Sequence, residues 1–204
     1  MTSVVLFSGG VDSTVLLAQV RNAVGGYVAA VSVDYGQRHR RELWSAFQLA
    51  RYYGATYHRV NLPAGVLAGS TLTGAAGPSS GPATVVPGRN LVLAGVAVAE
   101  AVRLGADAVY LAPHADDAAV YPDCRPAFVE GLAAAVLAGY GVRLEAPFLR
   151  LTKAGVVARG RELLVPFDMT WSCYHPRGYD PALPASGVPC GACGACAGRR
   201  GAGL

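Results

Sequence analysis

The stretch Ser8-Gly9-Gly10-Val11-Asp12-Ser13 limits what this chain can fold into more than any other feature. It follows Val4-Val5-Leu6-Phe7, an apolar run typical of a strand buried on both faces. It leads into Ser13 to Val24, with Leu16, Leu17 and Val20 on one helical face, and Gly25-Gly26 stops that helix. Two adjacent glycines let the backbone turn sharply and present amide hydrogens, while the helix aims its positive end at the same point. Such a junction suits an anion. Ser8 and Ser13 add hydroxyl donors, and Asp12 can orient the loop or hold Mg²⁺. Neither the Gly-Lys-Ser/Thr of a Walker A loop nor GxGxxG is present, so the usual γ-phosphate chemistry and dinucleotide binding lose ground. The plainer reading is a Gly-Gly turn with a capping Ser or Asp.

Strand and helix alternate beyond this point. Tyr27 to Val33 reads as a strand, and Arg40 to Tyr53 as a helix with Leu43, Ala46, Phe47 and Ala50 inward. Tyr57 to Val60 is a strand, Asn90 to Leu104 an apolar helix ended by Gly105, and Ala108 to Ala112 a strand. Pro126 to Tyr140 is a helix with proline in its first turn, Val142 to Ala146 a strand, and Thr152 caps a last helix to Leu164. The pattern predicts an α/β fold, a Rossmann-like parallel sheet with helices on both faces. Ligands bind such sheets at the carboxyl ends of the strands, near a topological switch point. Ser8–Asp12, Asp34–His39, Pro87–Asn90 and Pro113–Arg125 are the loops expected there. From Pro166 the pattern fades, which divides the chain into a main domain, 1–165, and a C-terminal segment, 166–204.

With 204 residues, 52% hydrophobic and 15% charged, the chain has ample core for one domain and an appendage, and disorder is excluded for most of it. A formal charge of +4 suits an anionic small molecule as well as nucleic acid and decides nothing. Met1-Thr2-Ser3-Val4 carries no basic leader. The longest uncharged stretch, Val60 to Gly88, is broken by Pro63, Pro78, Pro82 and Pro87, so a soluble, cytoplasmic protein with no membrane span is expected. Cys173, Cys190, Cys193 and Cys196 cluster in the last segment, where a disulfide framework would spread its cysteines, and this points to metal. The close spacings, eased by Gly191 and Gly194, let four thiolates form a tetrahedral zinc site. C-x₂-C-x₂-C also opens the bacterial ferredoxin pattern, but the Cys-Pro that completes it is missing. Cys124 stands apart and reads as a buried, reduced thiol.

Ser8 to Ser13 resembles the PP-loop of the N-type ATP pyrophosphatases, which cleave ATP between the α- and β-phosphates and pass AMP to an oxygen. Four further motifs occur in order: Asp34-Tyr35-Gly36-Gln37-Arg38-His39, Val86-Pro87-Gly88-Arg89-Asn90, Tyr121-Pro122-Asp123-Cys124-Arg125 and Thr170-Trp171-Ser172-Cys173-Tyr174. With Cys190-x₂-Cys193-x₂-Cys196-x₂-Arg199, they make the chain resemble the 7-cyano-7-deazaguanine synthases nearly end to end. Two departures stand out: Pro113 and Ala118-Ala119-Val120 occupy a stretch that is usually glycine-bearing, and positions 174–189 form a longer spacer.

The resemblance implies ATP, Mg²⁺ and one structural Zn²⁺ per chain, held by the four cysteines. It implies 7-carboxy-7-deazaguanine and ammonia as substrates, a homodimer, and no direct binding of nucleic acid. Phe7, Ser8, Gly9, Gly10, Val11, Asp12, Ser13, Thr14, Asp34, Gly88 and Arg89 would then bind the nucleotide. Asp12, Arg89, Lys153 and Asp123 would be catalytic, with Arg38 as a further phosphate clamp. Tyr35, Gln37, Asn90, Asp116, Tyr121, Asp123 and Trp171 would bind the deazaguanine. Plainer roles stand beside these: Asn90 as a helix N-cap, His39 in a solvated helix start, Asp123 supporting the next helix, Lys153 on the surface. A paralogue that stops at the amide or transfers the ring elsewhere has the same motifs. So does a non-catalytic zinc-bearing nucleotide module.

Overall fold

Five parallel strands form one sheet in the order β3-β2-β1-β4-β5. They are β1 (Thr2–Leu6), β2 (Tyr27–Asp34), β3 (Thr56–Asn61), β4 (Ala108–Tyr110) and β5 (Arg143–Glu145). The computed structural model describes residues 1–63, 65–74 and 80–204, and the break expected at Pro78 lies outside them. β1 is central, pairing with β2 on one side and β4 on the other, so the order reverses at its carboxyl end. The helices are α1 (Val11–Ala23), α2 (Arg41–Tyr52), α3 (Arg89–Arg103), α4 (Pro126–Tyr140), α5 (Lys153–Glu162) and α6 (Gly194–Gly201).

Successive side chains on a strand face opposite ways, and β1 shows it directly. Val5 packs with Phe7, Leu16, Leu49, Phe148 and Val156 under α1, α2 and α5. Val4 packs with Val31, Ala97, Val109, Val129 and Leu144 under α3 and α4. Both are fully buried, as expected of a strand covered on each face. The edge strand β3 is more open and carries His58 and Arg59. Phe47, expected inward on α2, lies partly exposed at its rim against Tyr57, and Leu49 takes the inward place.

α1 and α5 meet closely because Gly160 has no side chain. A Cβ there would stand 2.5 Å from Phe167 Cζ and 2.7 Å from Val15 Cγ2. Gly160→Ala is therefore expected to cost about 1–3 kcal/mol of stability, the usual range for overpacking a core. Urea unfolding followed by circular dichroism measures it, and an unchanged midpoint would show that the two helices can part freely.

The helical stretch 81–103 is apolar enough, at mean hydropathy 1.5, to be weighed as a membrane span. It is two pieces, a 3-10 turn at Gly81–Thr84 and α3, separated by Val85 to Gly88. The 15 residues of α3 reach about 22 Å, short of the ~30 Å of a bilayer core.

The tail departs from the expectation that regular structure ends near Pro166. α6 forms from Gly-Ala-Cys-Ala-Gly-Arg-Arg-Gly, a segment too glycine-rich to form a stable helix alone. Its Cys196 is buried among the other cysteines, and Arg199 donates to Thr170 Oγ1 at 2.6 Å and to the Phe167 carbonyl at 3.0 Å. Tertiary contacts make this helix, which is why periodicity did not show it. The spacer at 174–189 doubles back on itself through Arg177 and Val188, whose backbones exchange hydrogen bonds of 2.9 and 3.0 Å. That return brings the Cys190 amide to within 3.2 Å of Cys173 Sγ.

Candidate active site

The loop after β1 turns at Gly9, whose φ of +74° lies in the left-handed region. A Cβ at Gly9 would stand 2.5 Å from the Ala46 amide nitrogen and 2.8 Å from the Glu42 carbonyl, so the loop rests on α2. Inside it, Ser8 and Ser13 hydroxyls lie 3.1 Å apart, and the Gly10 amide donates to Ser8 Oγ at 3.3 Å. Thr14 Oγ1 donates to the Gly10 carbonyl at 2.7 Å. Thr14 is fully buried in α1 and steadies the loop from behind. From the tail, the Trp171 amide donates to the Gly9 carbonyl at 2.9 Å. The anion-binding loop is thus fixed by α2 on one side and the C-terminal segment on the other.

A cleft of about 960 Å³ opens over the carboxyl ends of β1, β2 and β4. At the loop end, Lys153 Nζ donates to both Asp12 carboxylate oxygens at 2.6 Å. Lys153 is therefore no free surface residue. Its position is set by Asp116, which accepts from the Lys153 amide at 2.8 Å, and by Thr152, which caps α5 at the Gly155 amide. His114, buried and unforeseen from the sequence, brings Nε2 to 3.4 Å from Asp117 and 3.9 Å from Asp12. Burial raises the Asp117 carboxyl above its usual range, and the adjacent His114 only partly offsets that.

At the other end the walls are aromatic. Arg89 lies among Tyr35, Tyr174 and Tyr121, with its guanidinium 5.7 Å from the Tyr121 ring centre. Burial works against its charge, but the surrounding phenols, Tyr35 foremost, more than offset this and hold it charged. Burial pushes the Tyr35 phenol up to about 12 despite Arg89, so it stays protonated as a donor. Trp171 also lines the cleft, although one ring face is covered by the Arg41 guanidinium at 4.7 Å.

Several residues named from the sequence have partners within the protein, and Asn90 and Asp123 among them line the cleft. Asp34 is buried away from the cleft, accepting from Arg59 at 2.6 Å, Arg40 at 3.2 Å and the Gly36 amide at 3.1 Å. Gln37 is a strut: its oxygen accepts from the Tyr35 amide, and its nitrogen donates to the Val33 carbonyl and to Glu42. Asn90 and Asp123 bond each other at 3.0 Å, and Asp123 also takes the Asn90 amide at 3.1 Å. Asp123 therefore supports the first turn of α3, not the following helix that its plainer reading named. Gly88, at φ +68°, is the N-cap of α3 in place of Asn90. His39, read as solvated, is 3% exposed. Burial pushes the Cys124 thiol up to about 12, which makes it a poor nucleophile.

Behind the Trp171 wall the Sγ atoms of Cys173, Cys190, Cys193 and Cys196 lie within 4.8 Å of one another. Backbone amides point at them: Ala192 and Cys193 each donate to Cys190 at 3.4 Å, and Tyr174 donates to Cys193 at 3.5 Å. Against the effect of burial, these donors pull the Cys190 thiol down to about 6, while burial raises Cys173 and Cys196. Four sulfurs at this separation, with amides to support thiolate charge, can hold one metal ion.

The family described as queuosine biosynthesis protein QueC matches residues 2–203. This chain belongs to the QueC family. Its relatives include a 7-cyano-7-deazaguanine synthase from Anaeromyxobacter sp., 44% identical over 97% of this chain and 89% of the relative. Another, from Paracoccus denitrificans, is 41% identical over 98% of this chain and 87% of its own length. Among solved structures, the U34-tRNA thiolase NcsA from Methanococcus maripaludis, determined with its iron–sulfur cluster, superimposes with a TM-score of 0.58. At 16% identity, over 92% of this chain and 62% of that one, the likeness shows a shared fold. QueC membership accounts for the ordered motifs, and each of them contributes residues to the cleft.

Proposed function

We propose that this chain, as a QueC family member, converts 7-carboxy-7-deazaguanine and ammonia to 7-cyano-7-deazaguanine at the expense of ATP. The observation that carries the reading is the joining of the anion loop, the Asp12–Lys153 pair and the aromatic, Arg89-bearing chamber in one cleft. A carboxylate is a poor electrophile. Transfer of AMP to one of its oxygens, with pyrophosphate leaving, supplies a good leaving group. Ammonia then displaces AMP to give the amide and a proton. The amide oxygen takes a second AMP from ATP, and loss of that AMP with two protons from nitrogen leaves the nitrile.

In this reading the Ser8–Ser13 amides and hydroxyls, at the positive end of α1, bind the phosphates. Lys153 and Arg89 neutralise charge that grows as pyrophosphate leaves. Asp12 holds Lys153 in place, and its carboxylate at the loop would hold Mg²⁺, which would supply charge neutralisation at the phosphates. The four cysteines hold zinc as a structural ion that fixes the tail, residues 166–204, against the domain formed by 1–165. The enzyme works on small soluble molecules in the cytoplasm, as a homodimer.

The test is the nucleotide product. Incubation with ATP, Mg²⁺, ammonium and 7-carboxy-7-deazaguanine is expected to yield AMP and pyrophosphate, two ATP consumed for each nitrile found by mass spectrometry. ADP as the direct product would overturn the adenylation mechanism, and an accumulating amide would make the chain a one-step enzyme.

A further inference from the structure

Among the described residues five carboxylates line the cleft, and four are tied to its loops and helix starts: Asp12 to Lys153, Asp116 to the start of α5, Asp117 to His114, Asp123 to Asn90. The fifth is Glu42, in the first turn of α2, where the positive end of a helix favours an acidic side chain. One oxygen accepts from Gln37 Nε2 at 3.0 Å, and the other lies 3.3 Å from His39 Nε2. Gln37 spends both amide N–H groups and one lone pair of its oxygen in three bonds, which hold it in place. His39 is locked beneath the Tyr174 ring, at 5.4 Å between centres. Each Glu42 oxygen keeps a free lone pair, since an ionised carboxylate accepts about four hydrogen bonds. The Glu42 side chain is 14% exposed and lines the cleft, and its partners Gln37 and His39 contact the Tyr35 amide and the Tyr174 ring, which places it at the aromatic end.

A rigid carboxylate beside aromatic rings recognises a flat heterocycle that offers two adjacent N–H donors. The lactam and amino edge of a guanine-type ring has that pattern, N1–H beside the 2-amino group. Adenine presents a bare acceptor at the same ring position and meets repulsion there. We propose that Glu42, held by Gln37 and His39, reads the N1–H and 2-amino edge of the deazaguanine and keeps the adenine of ATP out of that end. The assignment rests on the function proposed above and goes further, by giving one cleft a means of sorting two ring systems of similar shape. Rejection through an unpaired or repelled polar group discriminates more strongly than added contact area does.

The test varies both partners. Binding of 7-carboxy-7-deazaguanine, and of its analogue lacking the 2-amino group, is measured by calorimetry for the wild-type protein, Glu42→Gln and Glu42→Ala, with ATP as control ligand. The wild-type protein is expected to lose about 10- to 100-fold in affinity when the 2-amino group is removed, the usual range for a hydrogen bond to a charged group. Both variants are expected to bind the full ligand about 10- to 100-fold more weakly and to become nearly indifferent to the 2-amino group. ATP affinity and melting temperature should stay within about twofold and a few degrees. Glu42→Gln preserves shape, so it serves if the alanine variant fails to fold. A variant that keeps the wild-type sensitivity to the 2-amino group would overturn the role of Glu42 alone. Wild-type protein that binds ATP and ignores the deazaguanine would overturn the proposed function, and this assignment with it.

Discussion

Asp12→Ala is expected to lower kcat by about 10³-fold or more while leaving the fold and the metal content intact. Its carboxylate is a quarter exposed at the mouth of the loop, so no core is disturbed by removing it. What is lost is the partner of Lys153, which donates to both Asp12 oxygens at 2.6 Å. An aimed cation near a leaving pyrophosphate is worth about 10²–10³ in rate by itself. Lys153→Ala should therefore fall by a similar factor. Because the two side chains act as one unit, the double variant should be little worse than either alone. Release of AMP in single-turnover experiments reads the effect. A near-normal kcat for Asp12→Ala would reduce the loop to a turn with a surface ion pair.

Loss of the metal should be nearly as damaging by a different route. Cys193→Ser is expected to lose the ion, open the tail to proteolysis and lower activity about 100-fold or more, although no cysteine of the cluster touches substrate in the proposed reaction. The reason is mechanical. Cys193 is the N-cap of α6, whose Gly194, Ala195, Gly198 and Arg199 line the cleft. Without ligation that helix has too little propensity and too little apolar surface to stay formed, and ion binding supplies the missing free energy. Cys124→Ser should keep both metal and activity. Elemental analysis should find one zinc per chain, with four sulfurs at about 2.3 Å by X-ray absorption. Iron with a visible absorbance band would replace zinc in the assignment. Full activity without metal would remove its role altogether.

The contrast between what was legible in the sequence and what was not follows from the range of the interactions. The strands, α1 to α5 and the anion loop rest on periodicity and local turn chemistry, and they lie within a few residues of their expected places. The four cysteines were legible because few chemistries need that spacing. Polar partners were not. Asp34 sits at a strand end that should face ligand, yet Arg59 reaches it from β3 because β2 and β3 pair in register there. Lys153 meets Asp12 across 141 positions, a contact set by the packing of α5 on α1. Glu42 is a first-turn acid of α2, and nothing local says that it faces a cleft. His114 follows a proline in a loop whose path depends on the sheet. In each case the side chain was visible and its partner was not, because a hydrogen-bond partner is chosen by topology.

The hydrogen bond from the Trp171 amide to the Gly9 carbonyl joins two bodies of unequal permanence. Gly9 hangs from the central strand, whose Val4 and Val5 are fully buried, so the amides of that strand should take up deuterium only on global unfolding. Trp171 belongs to a tail held by the cysteine cluster and a two-turn helix, and it should exchange during much smaller openings. The Ser8–Ser13 loop is thus anchored on the more stable body, and the Trp171 wall on the less stable one. Hydrogen exchange read at Trp171 and at the buried strand β1 is expected to show that difference, and loss of a metal from the cysteine cluster should widen it.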